Sequence, residues 1–368
     1  MINFHRNCLE DYAEELIAET IMKQKKALIF TTEYLNLQKP VIEELERLGW
    51  EVTTIKDCLL EGDPKLRSTP LRNFIKRFIK FPKHLSWLKR AELFWSPVLA
   101  TLCDHYDLFL CLNAFTIPPS VVETIKQHTD RTVLYVWDSS RTWDFSIIAP
   151  YFDEAYTFDL LDSERHSSLK LLPNYYTEPK HIEISSVKYP AIIIIGANRD
   201  QRIRFVTSLA SEIRRHRIYN YFFKLLPHSL PPLSQRLFKD YSLSKKLNSG
   251  KLEEFEIKAP LEPEEYMTLM EQSEIIVDDV IPEQSGLTPR FIWGLARGKK
   301  IITTNRYAMR YNFVAPENVC IADRKNPIIP VEFLKAEPVK NPDHLHTLEI
   351  KNWVRIITGD SPLPDYCN

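Results

Sequence analysis

Glycine is scarce in this chain, with 8 among 368 residues. Few positions can therefore take left-handed turns or close backbone approaches, and a stretch that gathers several glycines has a reason for them. No G-x-G-x-x-G follows an apolar run, so the dinucleotide fingerprint is missing. The P-loop pattern fails because Trp293 stands where its first glycine would precede Gly298-Lys299. G-x-S-x-G is absent too, which removes the sequence sign of an α/β-hydrolase. The six cysteines (Cys8, Cys58, Cys103, Cys111, Cys320, Cys367) form no C-x-x-C pair and read as scattered, reduced thiols. With His344 and His346 the only close histidine pair, no metal site is expected. No apolar run approaches the ~20 residues of a membrane span. Glu10, Asp11, Glu14 and Glu15 stand where a signal peptide needs an apolar core, so a cytoplasmic location is expected. Neither sign of charge dominates: 48 basic residues face 49 acidic ones, and nothing global points to nucleic acid.

What the chain does have is alternation. At 368 residues it is long for one core and suggests two domains. An amphipathic stripe at Leu9 to Lys23 predicts an added N-terminal helix. Lys26 to Thr31 reads as a strand, Pro40 to Leu48 as a helix ended by Gly49, and Glu51 to Lys56 as the next strand. Asp107–Leu112, Pro118–His128 and Thr132–Trp137 continue the series, and Glu154–Asp159 and Leu169–Pro173 close it. Strands alternating with helices argue a parallel sheet. After a polar gap with Pro179, a second series opens at Ala191 to Arg199, an apolar run ending in Gly196. The expected division is a first domain over 1–175, a linker over 176–189 and a second domain over 190–340. The segment 341–368 supplies a C-terminal helix, with a crossing back to the first domain as its expected course.

One segment differs from its surroundings. Between Lys65 and Arg90 lie nine basic residues and no acidic one, beside a stripe of Leu71, Phe74, Ile75, Phe78 and Ile79. Such a segment suits a helix packed by its apolar side on the first domain, or an anionic membrane surface.

Three of the glycines fall in Ser273 to Asn305, which reads strand, loop, helix, strand. Ile275-Ile-Val277 is the strand, Leu287 to Ala296 has helical spacing, Gly298 ends the helix and Ile301-Ile302 opens the next strand. A helix opening with Ser285, Gly286, Leu287 and Thr288, with Arg290 in its first turn, suits an anion, because its first N–H groups lack intrahelical partners. An ordinary capped crossover helix fits the same spacing. Glu283 and Gln284 suit hydrogen bonds to a polyol. Arg199 and Arg202, with Gly196 and Asn198, suit phosphate contacts on a facing loop. Asp138, at the C-terminal end of a strand, is a candidate general base, or else the cap of the next turn.

Ser273, Asp278, Pro282, Gln284-Ser-Gly-Leu-Thr288, Arg290 and Lys299 to Asn305 resemble the C-terminal signature of bacterial GT-B-type glycosyltransferases of lipopolysaccharide and capsule biosynthesis. The similarity is dense over about thirty residues and diffuse from Leu134 to Ile321. The resemblance implies an α/β protein of two Rossmann-like domains facing across a cleft. It also implies transfer of a sugar from a nucleotide-sugar donor to a glycan or lipid-linked glycan acceptor, and the basic segment 65–90 would place that reaction at the inner face of the cytoplasmic membrane. Donor contacts are then expected from Gly196, Asn198, Arg199, Arg202, Lys258, Glu283, Gln284, Ser285, Gly286, Leu287, Thr288 and Arg290, with Asp138 as base. Lys258 enters because a nucleobase edge is met near that point in many such enzymes. No Asp-x-Asp occurs, so a metal-held diphosphate is not expected, and no cofactor is called for beyond the donor. The competing class is a non-catalytic two-domain binding or scaffold protein in surface-glycan assembly.

Overall fold

The computed structural model describes residues 24–31, 36–57, 91, 94–100, 102, 105–113, 117–141, 144–178, 192–197, 202–226, 253–255, 257, 261–282 and 284–368. The expected helix at 9–23, the basic segment 65–90, most of the 176–189 linker, Asn198, Arg199, Lys258 and Glu283 lie outside these residues.

Two parallel sheets organise the chain. The first has six strands in the order β2-β1-β3-β4-β5-β6. They are β1 (Lys26–Thr31), β2 (Glu51–Lys56), β3 (Leu108–Leu112), β4 (Thr132–Val136), β5 (Glu154–Thr157) and β6 (Lys170–Leu171). β3 and β4 are buried at every position, as continuous apolar runs must be when helices cover both faces. Helix α1 (Lys39–Arg47) takes Pro40 in its first turn, where a missing N–H costs nothing, and buries Val41 and Leu45. Gly49 follows it at φ 86°, a left-handed conformation that favours glycine. Helix α2 (Pro119–Lys126) buries Val121, Val122 and Ile125. Its Lys126 then holds Asp153, whose other oxygen takes the Thr132 N–H and hydroxyl at 2.8 Å each. Helix α3 (Leu160–Arg165) follows β5 and is capped by Asp159.

The second sheet has five strands in the order β11-β10-β9-β7-β8. They are β7 (Ile192–Ala197), β8 (Tyr221–Leu226), β9 (Ile275–Asp278), β10 (Lys300–Thr303) and β11 (Val319–Ile321). Alternation along β7 decides which face each isoleucine serves. Ile192 and Ile194 pack with Phe205, Val206 and Leu209 of α4 (Arg202–Arg215). Ile193 and Ile195 pack with Met270 of α5 (Pro263–Gln272) and Trp293 of α6 (Pro289–Ala296). Each such side chain taken fully from water contributes about 1.5–3 kcal/mol. Helix α7 (Val331–Lys335) follows β11, and α8 (Ile350–Thr358) ends at Gly359 with φ 81°. Buried Trp353 of α8 donates to the Pro173 carbonyl at 3.0 Å, and Tyr176 bridges to Glu349.

By contacts the chain forms two compact units. The first comprises residues up to Val136 with Phe145–Ala155. The second comprises Trp137–Asp144 with Tyr156–Asn368. Among the described residues no helix is long and apolar enough to cross a membrane.

Candidate functional site

In a parallel α/β sheet, ligands gather beyond the carboxyl ends of strands where the winding direction reverses. In the second sheet β7 leads to β8 on one side, while β9 lies against its other edge. The reversal therefore falls between β7 and β9, whose ends carry Gly196 and Asp278.

Two arginines converge there. A Cβ on Gly196 would meet Arg202 Nη1 at 2.9 Å and Arg290 Nη2 at 3.6 Å, so both guanidinium groups lie over this one residue. Arg290 is held by donating to the Ile195 carbonyl at 3.0 Å, and its Nη1 lies 3.8 Å from Asp278 Oδ1. Arg202 is held by Asp279, through Nε to Oδ2 at 2.9 Å and Nη2 to the backbone oxygen at 2.8 Å. Asp279 also receives Arg324 Nη2 on Oδ2 at 2.9 Å and the Thr304 hydroxyl on Oδ1 at 3.1 Å. Asp278 accepts the Thr288 hydroxyl at 2.8 Å. Both carboxylates are buried, at 1% and 2% exposure. Burial pushes the Asp278 carboxyl up, against the pull of Arg290 and Thr288. Burial and then the like charge of Arg290 push the Arg202 guanidinium below its usual value, with Asp279 opposing. Among the expected donor residues the structure thus brings together Gly196, Arg202, Thr288 and Arg290.

The Ser285–Gly286 loop is built differently from the expected helix start. The N-terminus of α6 lies three residues beyond Gly286, with Thr288 as N-cap accepting the Phe291 N–H at 3.2 Å and Pro289 at the first helical position. The reason is local: Pro289 has no N–H to miss and forces its predecessor out of the helical region, so Thr288 is extended at ψ 158°. The Ser285 and Gly286 amides each donate to Asp159 Oδ2 at 3.0 Å, and the Ser285 hydroxyl donates to Oδ1. A protein carboxylate therefore sits on these amides. Ser285 Oγ accepts the Leu161 N–H at 2.8 Å, and Asn305 donates to the Ser285 and Gly286 carbonyls at 3.1 Å each. Gln284 turns inward to the Gly286 carbonyl at 3.0 Å, and Leu287 is fully buried while its carbonyl takes Asn174. Gly286 faces Phe158: an added Cβ would lie 2.4 Å from Cε2 and 2.5 Å from Cδ2.

Asp138, half-buried, follows β4 and belongs to the second unit. Two residues on, Ser140 donates its N–H and hydroxyl to Asp162 at 2.6 and 2.5 Å. Asp162 lies on α3, the helix capped by Asp159, so one six-residue helix joins the Asp138 turn to the Ser285–Gly286 loop. Sequence reasoning missed Asp159, Asp162, Asp279 and Arg324. A signal existed for the first, since an aspartate before Leu160-Leu161-Asp162 is a good N-cap.

No protein-family model matches the chain, and no curated protein is similar to it in sequence. Solved structures do match in shape. An α,α-trehalose-phosphate synthase (UDP-forming) from Burkholderia vietnamiensis is 9% identical, with 92% of this chain and 97% of that one covered and a TM-score of 0.58. The N-terminal domain of Candida albicans trehalose-6-phosphate phosphatase is 11% identical, over 92% of this chain and 96% of that one, again at 0.58. An E. coli trehalose-6-phosphate structure bound with UDP-2-fluoro glucose is 9% identical, over 91% and 98%, at 0.58. The chain therefore has the GT-B fold of two parallel-sheet α/β domains.

Proposed function

We propose that this protein is a glycosyltransferase that moves a sugar from a nucleotide-sugar donor to a lipopolysaccharide or capsule acceptor. The observation that carries the reading is the pair of guanidinium groups over Gly196 at the reversal point of the second sheet. Two like charges held together at a strand end gain from a bridging anion, and planar guanidinium groups suit phosphate oxygens. The resemblance of Ser273 to Asn305 to lipopolysaccharide and capsule glycosyltransferases, and the UDP-2-fluoro glucose bound to the E. coli neighbour, support reading that anion as a sugar-bearing diphosphate.

In this reading Asp138 takes the proton of the acceptor hydroxyl as its oxygen attacks the anomeric carbon. The bond from that carbon to the diphosphate oxygen breaks, and the nucleoside diphosphate leaves with the electron pair. Arg202 and Arg290 stabilise the charge that develops there, which fixed cations do without reorganising. Neutralising that charge is the role a divalent cation would otherwise serve, so a metal-independent reaction is proposed. Thr288, beside Arg290, and the segments with Asn198, Arg199, Lys258 and Glu283 complete the donor contacts, while Ser285 and Gly286, held by Asp159, buried Leu287 and inward-turned Gln284 shape the loop behind them. The basic segment 65–90 would hold the enzyme at the anionic inner face of the cytoplasmic membrane, where a lipid-linked acceptor sits.

The test is a thermal-shift screen of nucleotide sugars, followed by release of nucleoside diphosphate in the presence of acceptor glycan. A donor at 100 times its Kd adds about 2.7 kcal/mol to the native state and raises the melting temperature. Absence of any shift with every nucleotide sugar and nucleoside diphosphate would overturn the reading. Binding without turnover would leave the scaffold class in its place.

A further inference from the structure

Among the described residues three guanidinium groups, those of Arg202, Arg290 and Arg324, meet two buried carboxylates, Asp278 and Asp279. The way Asp279 is used sets two of these guanidinium groups side by side. A carboxylate paired for strength takes one arginine on both oxygens. Asp279 instead receives two arginines on the single oxygen Oδ2, each at 2.9 Å, while among the described residues Oδ1 takes the Thr304 hydroxyl alone. The two come from separate elements, Arg202 from the start of α4 and Arg324 from the segment after β11. Arg290 comes from a third, the first turn of α6. The side chains of Arg202, Arg290 and Arg324 remain 14%, 19% and 22% exposed, so the cluster is open to a ligand, whereas the Asp279 side chain is at 0%.

We propose that Arg324 is a third arm of the anion site and that Asp279 is the positioning residue that sets Arg202 and Arg324. Three cations spread over three elements match a diphosphate, which offers oxygens on two phosphorus atoms, better than a single phosphate. This inference rests on the donor-site reading above and names what that site recognises: both phosphates of the donor.

The experiment is isothermal titration of the full chain and its variants with inorganic pyrophosphate, inorganic phosphate and nucleoside diphosphates, with thermal melting as a check on folding. Pyrophosphate is expected to bind about tenfold or more tightly than phosphate, because it engages more charge-assisted hydrogen bonds. Arg324→Ala should weaken pyrophosphate binding about ten- to hundredfold, and Arg324→Gln, which keeps a hydrogen bond to Asp279 without the charge, should lose as much. Arg324→Lys should fall between, since lysine keeps the charge but not the fork. Asp279→Asn keeps the shape and unties the two arginines, so the preference for pyrophosphate over phosphate should shrink by about tenfold. If Arg324→Ala and Arg324→Gln kept wild-type affinity while Arg202→Ala lost it, Arg324 would be structural and this proposal would fall, with the donor site standing. Wild-type preference in Asp279→Asn would remove the positioning role. A wild-type chain that bound neither pyrophosphate nor any nucleoside diphosphate would overturn the donor reading itself.

Discussion

Replacing Gly286 by alanine separates two reasons for a glycine at that position. If the residue is small so that a ligand can approach the backbone, Gly286→Ala folds normally and loses donor affinity. The geometry points to Phe158 instead. The added Cβ would lie 2.4, 2.5 and 2.9 Å from three ring carbons, against an ordinary carbon–carbon contact of about 3.5–4.0 Å. Phe158 is buried at 4% exposure, and its neighbour in sequence is Asp159, which holds the Ser285 and Gly286 amides. A rigid ring that must retreat by about 1 Å therefore draws the carboxylate with it. Overpacking of this kind costs about 1–3 kcal/mol. Weakened hydrogen bonds to a charged group add about 1.5–3 kcal/mol at most. For a body of this size each kcal/mol lowers the melting temperature by roughly 2–4 °C. Gly294→Ala is the control, because its Cβ would meet the flexible ends of Ile276 and Ile301 at 2.9 and 3.2 Å and should cost less. Phe158→Leu in the Gly286→Ala background should recover part of the loss, and a double-mutant cycle should show coupling of about 1 kcal/mol or more. Wild-type melting of Gly286→Ala together with lost donor binding would refute this reasoning and return the residue to the ligand.

Three further outcomes are expected. Asp138→Asn keeps the shape and removes the base, so turnover should fall about a hundredfold or more with donor binding nearly intact, and full activity would end the base assignment. Arg290→Ala should weaken donor binding about ten- to hundredfold. It should also lower the melting temperature, because the guanidinium nearest Asp278 is gone. High pH should unfold the protein through its buried acids. Burial pushes Tyr366 up to about 12 and Cys320 up to about 11, so the native state keeps protons that the unfolded chain gives up. Stability is then fully present below the unfolded values and falls as pH rises between about 9 and 12, by roughly 1.4 kcal/mol per pH unit for each group. Denaturant midpoints measured across that range check the slope, and a flat profile would contradict it.

Much of the framework was legible because it depends on local pattern. Lys26–Thr31 and Glu51–Lys56 are strands over the spans their sequence predicts, and the strand–loop–helix–strand order of Ser273 to Asn305 is as expected. Boundaries moved where local chemistry outweighed periodicity: apolar spacing carries back to Leu287, but Thr288-Pro289 starts the helix later. The C-terminal helix expected within 341–368 divides, with a 3₁₀ turn at Asp343–Leu348 before the α-helix at Ile350. Helix α3 escaped notice because six residues carry too little periodicity to stand out. Contacts across long separations were beyond local reading altogether. Asp159 meets Ser285 across 126 positions, and nothing local in Arg324-Lys325-Asn326 marks Arg324 as a partner of Asp279. The arginine pair was half visible, since Arg202 and Arg290 were each marked for phosphate, but their meeting over Gly196 is a property of the sheet winding.

The grip of Asp159 on the Ser285–Gly286 loop bears on how this protein can be cut and recombined. A fragment beginning near residue 190 would contain every strand of the second sheet, and by composition it looks like a separable module. It would nonetheless lose Asp159 and Phe158, leaving the buried Ser285 and Gly286 amides without their acceptor and a gap where the ring had been. It would also lose Pro173, whose carbonyl receives the buried indole N–H of Trp353. The inheritable piece therefore begins by Tyr156 rather than at the visible sheet boundary. A chimera that exchanges the second sheet should carry the short α3 segment along with it.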